Sequence, residues 1–131
     1  IFVELGWEIY KEELKGYEFM FAFMPFMHTE NIIYQKKGEH HFIRHKQLYG
    51  DATKKRLLTE PNKASMMTSI KPTHYDKEYT MLKSMEPHVL GHKQTILMFG
   101  RFPKRNSVLG RETTIQEGQY LNREGVKNRP Y

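Results

Sequence analysis

The stretch Phe99-Gly100-Arg101-Phe102-Pro103-Lys104-Arg105-Asn106-Ser107-Val108-Leu109-Gly110-Arg111 sets three arginines and a lysine among two glycines, a proline and four large apolar residues. So many restricted backbone positions and fixed charges are unusual in an ordinary surface loop. Gly100 suits the left-handed position that closes a helix. The segment therefore reads as a helix end followed by a tightly turned stretch whose apolar side chains return to the core.

Upstream of it, residues 75–99 carry Tyr75, Tyr79, Leu82, Val89, Ile96 and Leu97 in a helical pattern. Pro87 and Gly91 are expected to divide this stretch into two helices or to kink it. Downstream, Thr113-Thr114-Ile115-Gln116-Glu117 offers a capping box, either Thr113 with Gln116 or Thr114 with Glu117. It opens a short helix whose Tyr120 and Leu121 face the core. Residues 122–131 then form a basic C-terminal tail, expected to fray or to lie on a partner.

Further out, residues 2–14 place Phe2, Leu5, Ile9 and Leu14 near helical spacing, and Gly16 breaks the pattern. Residues 17–24 are apolar on nearly every side, which predicts a buried helix that Pro25 stops. Thr29 is expected to cap a helix running from Glu30 to about Lys46, weakened in its middle by Gly38. Residues 50–73 lack a period and are expected to form a long irregular loop. No convincing strand alternation or internal repeat is visible. The fold class is all-α, with a partial helical domain over residues 1–121.

The chain has 131 residues, the size of one domain, but only 38% of them are hydrophobic. The mean hydropathy is −0.73, so the core is modest. Cysteine is absent, which excludes a disulfide framework, a thiolate metal site and a cysteine nucleophile. The net charge of +6 favours acidic partners such as nucleic acid, anionic lipid or acidic protein. No stretch is long and apolar enough to span a bilayer, since the Phe19–Met27 run is short and holds Pro25. The chain opens with Ile1 rather than methionine, so a processed or trimmed start is expected.

Phe99–Arg111 resembles F-G-R-F-P-H-R-N-x-x-L-G-R, the hallmark of the family catalogued as domain of unknown function 924. Thr113, Thr114, Glu117 and Leu121 continue the pattern. A second hallmark, M-P-F-x-H-S-E, is similar to Met24-Pro25-Phe26-Met27-His28-Thr29-Glu30. The resemblance implies an all-helical, tetratricopeptide-like fold and no settled activity. Lys104 stands where the family usually has histidine, and Gly118 where an acidic residue is common. No D-Q-F-P-R-N-like segment is present, so the resemblance is expected to cover only the C-terminal part of the family domain.

Six residues of the two motifs form the first candidate site: His28, Glu30, Arg101, Arg105, Asn106 and Arg111. An arginine fork holds a carboxylate or phosphate bidentately, and a histidine–glutamate pair can do acid–base work. The favoured expectation is a structural clasp in which Glu30 pairs with one arginine and Asn106 satisfies backbone groups. His41 with His45, and His88 with His92, have the i,i+4 spacing of metal ligands. No HExxH arrangement completes them, so they are expected to be surface histidines, and neither a metal nor a cofactor is expected. Lys54, Lys55, Arg56 and Lys104 are candidate nucleic-acid contacts. No phosphate loop, nucleophile elbow or dinucleotide fingerprint is visible.

Helix-pair folds bury their apolar faces against neighbouring pairs. With apolar helices at 17–24 and 89–99 and no first half to cover them, the chain is expected to be a non-catalytic structural or binding subunit. Its partners would be other proteins of a larger intracellular assembly, mitochondrial assemblies included. An RNA-contacting subunit of an organellar ribonucleoprotein is the alternative. A small enzyme or anion-binding protein using His28, Glu30, Arg101 and Arg105 is the second alternative.

Overall fold

Phenylalanine spacing builds the first contact of the fold. A computed structural model describes residues 16–59 and 74–127. Its helices are α1 (Gly16–His28), α2 (Ile32–Thr59), α3 (His74–Phe99), α4 (Ile115–Leu121) and α5 (Glu124–Lys127), with a 3-10 turn at Pro103–Arg105. The all-α expectation holds, and no strand occurs among the described residues. The helix expected at 2–14 lies outside them.

On α1, Phe19, Phe23 and Phe26 recur every three or four residues and are almost wholly buried. Burying each is worth about 2–3 kcal/mol. Phe19 and Phe23 pack on Phe42 of α2, with ring centroids 6.4 and 5.4 Å away, and Phe26 packs on Tyr34 and His41. Helix α2 runs antiparallel to α1. Its Gly38 is the socket for the close approach: a Cβ there would stand 2.6 Å from the Cβ of Phe26 and 3.2 Å from the Phe23 ring. Gly38 is thus a packing position, and its helix-propensity cost is the lesser effect.

The apolar stretch at 17–24 is not buried all round, because Phe21 is 73% exposed and Met24 is 42% exposed. Pro25 does not stop α1 either, since the helix runs on to His28. The carbonyl left without an amide is that of the exposed Phe21. The Phe23 and Phe26 contacts hold the last turn against the local preference.

Between α1 and α2 the chain turns on polar side chains. Thr29 Oγ1 accepts the Asn31 N–H at 3.2 Å, and Asn31 Oδ1 accepts the Ile33 N–H at 2.9 Å. Asn31, not Thr29, is therefore the N-cap, and Glu30 stands in the bend outside the helix. Buried Gln35 donates back to the carbonyls of Met27 and Thr29, at 2.5 and 2.8 Å.

Helix α2 extends to Thr59, so the irregular loop expected from residue 50 is helical over 50–59. Ala52, Lys54, Lys55, Arg56, Leu57 and Leu58 are good helix formers, and Gly50 abuts the ring of Tyr79. Residues 60–73 of that expected loop lie outside the described residues. Helix α3 returns antiparallel to α2, fixed by Glu39 with Lys93 and by Lys46 with Glu86. It passes through Pro87 and Gly91 as one helix. Pro87 and the residue four before it, Lys83, are both exposed, so the missing amide falls on the solvated side. Leu82, Val89 and Ile96, seven apart, are the buried stripe of α3, while Leu97 is exposed. No helix among the described residues is long and apolar enough to cross a membrane.

Gly100 closes α3 at φ 69°, with its N–H on the Ile96 carbonyl at 2.8 Å. Of the two capping boxes open to the sequence, Thr114 with Glu117 forms, and it starts α4. Tyr120 is half-buried, packs on Phe99 at 5.0 Å and lies 3.2 Å from the Thr95 hydroxyl. The expected tail at 122–131 contributes helix α5, whose Val126 is buried.

Candidate functional site

Glu30 leaves the α1–α2 bend and meets the motif that follows α3. Its carboxylate takes both arms of Arg111: Nη1 donates to Oε2 at 2.7 Å and Nη2 to Oε1 at 2.9 Å. The Phe102 N–H also donates to Oε1, at 2.9 Å. Hydrogen bonding from Arg111 outweighs partial burial and lowers the Glu30 carboxyl to about 2. Arg111 and Glu30 lie 81 residues apart in sequence, so this pair ties the first interhelical turn to the end of the third helix.

A second pair sits beside it. Arg101 donates from Nε to Glu117 Oε1 at 2.7 Å and from Nη2 to Oε2 at 2.9 Å. Its Nη2 also reaches the Glu112 carbonyl at 2.8 Å. Glu117 is buried, and its Oε2 further accepts from Asn106 Nδ2 at 3.1 Å and from the Thr114 N–H at 2.9 Å. Arg101 is the main cause that holds the Glu117 carboxyl down at about 2. Asn106 is fully buried. It also donates to Thr113 Oγ1 at 3.3 Å, and its backbone carbonyl accepts the Arg111 N–H at 2.8 Å. Its Oδ1 has no hydrogen-bond partner among the described residues.

The structure therefore joins Glu30, Arg101, Asn106 and Arg111 in one clasp and adds Glu117, which the sequence presents only as the second half of a capping box. The capping box marks the place of Glu117, because a glutamate at N3 sits at the helix N-terminus, where a negative charge is favoured. Its burial was not readable from spacing.

His28 and Arg105 donate no hydrogen bond to the clasp's carboxylates, although the Arg105 charge is near enough to help lower the Glu30 carboxyl. The His28 ring nitrogen Nδ1 lies 3.0 Å from the Met24 carbonyl. Arg105 Nη2 donates to the His28 carbonyl at 2.9 Å, and the guanidinium lies over the Phe102 ring at 4.4 Å. Both residues line an open cleft of about 730 Å³ between α1, α3 and the 3-10 turn. Its walls include Met24, Met27, Met85 and Phe102, with Val108 and Leu109 beyond the turn.

One histidine of each pair departs from the surface position expected, whereas His88 is exposed and His41 half-buried. His92 is 1% exposed and its ring lies edge-on to Phe102 at 5.6 Å. His45 is 5% exposed and stacks flat on Phe19 at 3.7 Å. Desolvation lowers both rings to about 4, so each is neutral near pH 7 and packs as an aromatic. Among the described residues no group of three histidines and carboxylates is placed to hold a metal ion.

The nucleic-acid candidates do not converge. Lys54 and Lys55 are exposed on the last turns of α2, whereas Lys104 lines the cleft. The antiparallel register of Glu39 with Lys93 and Lys46 with Glu86 sets the end of α2 beside the start of α3. Lys104 follows the other end, some 30 Å away at 1.5 Å rise per residue. The side chain of Arg56 lies outside the described residues.

Residues 4–125 match the family described as bacterial protein of unknown function, DUF924, so the chain belongs to that family over nearly its whole length. No curated protein and no solved structure matches it.

Proposed function

We propose that this DUF924 protein is a non-catalytic binding subunit that docks into a larger protein assembly. The observation that carries this is the fate of Glu30, the carboxylate of the candidate acid–base pair, and of the clasp around it. Glu30 is locked to Arg111 and Glu117 to Arg101. A carboxylate held near pKa 2 is a poor general base at neutral pH. Those residues serve the architecture by joining the α1–α2 turn to the segment after α3. The tetratricopeptide-like reading is supported by the two successive antiparallel helix contacts, α1 with α2 and α2 with α3.

Docking has support of its own. Leu90 and Leu97 lie seven residues apart on α3 and are 43% and 52% exposed, and Phe21 of α1 is 73% exposed. Apolar residues at that spacing on a solvated helix face suit a second helical surface. The test is native co-purification of a tagged chain at its normal expression level. A recurring set of protein neighbours is expected, and the double variant Leu90→Ser, Leu97→Ser should lose them while keeping its helical circular dichroism. A chain that elutes as a partner-free monomer in gentle lysates overturns the proposal.

A further inference from the structure

The cleft beside the clasp has a one-sided chemistry. Its volume of about 730 Å³ falls within the range of small-molecule sites. Three methionines, Met24, Met27 and Met85, supply flexible thioether walls that adapt to an apolar body of no fixed shape. Among the described lining residues there is no aspartate or glutamate, and Arg105 supplies a cation. Apolar walls beside the Arg105 cation favour an anion with an apolar tail.

Arg105 is the distinctive group. Of the three arginines in the 99–111 motif, Arg101 and Arg111 each grip a glutamate with two nitrogens. Arg105 forms no salt bridge among the described residues. One of its nitrogens is used on the His28 carbonyl, and its plane rests on Phe102. Those two contacts fix the guanidinium without neutralising it. A guanidinium held in this way presents its remaining N–H donors as a ready fork for a planar carboxylate. A phosphate dianion is less well served, because no α-helix N-terminus is among the described elements lining the cleft and backbone amides are its usual partners.

We infer that this cleft binds a small amphipathic carboxylate, with its carboxylate on Arg105 and its apolar tail among Met24, Met27 and Met85. The site goes beyond the docking role and does not depend on it.

Isothermal titration of the full chain with decanoate, below its micelle-forming concentration, tests the inference. Decanoate is expected to bind with one-to-one stoichiometry. Decanol, which lacks the charge, and acetate, which lacks the tail, should each bind at least about tenfold more weakly, as loss of a charged hydrogen bond or of buried apolar area requires. Arg105→Gln should cost about tenfold or more in decanoate affinity. Because that change also removes the bond to the His28 carbonyl, a second variant is needed. Leu109 is 57% exposed on the cleft rim, so Leu109→Asp adds a repelling charge with little effect on folding. It should weaken decanoate binding while Leu109→Asn retains it. Absence of decanoate binding, or binding indifferent to both Arg105→Gln and Leu109→Asp, overturns the inference.

Discussion

At the scale of single residues, the two glutamates of the clasp have different standing. Glu117 is 2% exposed and satisfies Arg101, Asn106 and the Thr114 amide together. Glu117→Ala therefore strips a buried network of its acceptor and breaks the capping box. It should destabilise the protein by about 2–4 kcal/mol. Thr114→Ala removes only the cap's hydroxyl and should cost about 1 kcal/mol. Urea unfolding followed by circular dichroism separates the two; equal losses would mean the network adds nothing beyond the cap. The sequence made a pairing of Glu30 with an arginine legible, because both motifs stood out and their charges were opposite. It did not make the choice of Arg111 legible, nor the burial of Glu117. Those depend on how the turn after Gly100 folds back, and nothing in local periodicity records a contact across 81 residues.

Elements were legible where apolar spacing was regular and obscure where tertiary contacts outvoted local preference. The stripe of Leu82, Val89 and Ile96 announced α3, and Gly100 announced its end. Pro25 and Pro87 read as breaks, yet α1 and α3 run through both. Proline is costly in a helix interior because it deletes a hydrogen bond, but packing of the aromatic face repays that cost when the orphaned carbonyl lies towards water. Gly38 read as a weakness for the same reason: propensity sees a single helix, whereas the socket belongs to two. Two glycine substitutions test this account. Gly38→Ala gains about 1 kcal/mol of helix propensity but drives a Cβ to 2.6 Å from the Cβ of Phe26. Overpacking of that kind costs about 1–3 kcal/mol, so a net loss of thermal stability is expected. Gly118→Ala lies in α4 with nothing within 4 Å of the added carbon, and it should raise stability by about 0.4–1 kcal/mol. If both substitutions stabilise, Gly38 is not the contact point between α1 and α2.

For the whole molecule, the buried histidines and the clasped carboxylates combine into a pH dependence with two successive parts. His45 and His92 are lowered from 6.5 to about 4 by burial. Between those values the unfolded chain takes up protons that the folded chain refuses, so stability falls as the pH drops from about 7 towards 4. The cost is on the order of 3 kcal/mol per histidine. Glu30 and Glu117 are lowered from 4.5 to about 2. Their contribution is complete above the unfolded value and is lost as the pH falls through the folded one, so it adds a second decline from about pH 5 to 2. Both groups act in the same direction, and stability should decrease continuously below neutrality, with no recovery at mildly acidic pH. The two parts separate by substitution. His45 stacks on Phe19 at 3.7 Å and its Nε2 has no hydrogen-bond partner among the described residues, so His45→Phe keeps the stack and removes the titration. Its urea midpoint should fall about half as steeply between pH 6.5 and 5 as that of the parent chain, since one of two equivalent histidines is gone and the clasp carboxylates do not yet contribute. The decline below pH 4 should be unchanged, because the clasp is intact. An unaltered slope between pH 6.5 and 5 would show that His45 is protonated in the folded protein, and the aromatic core of α1 and α2 would then have to accommodate a charge.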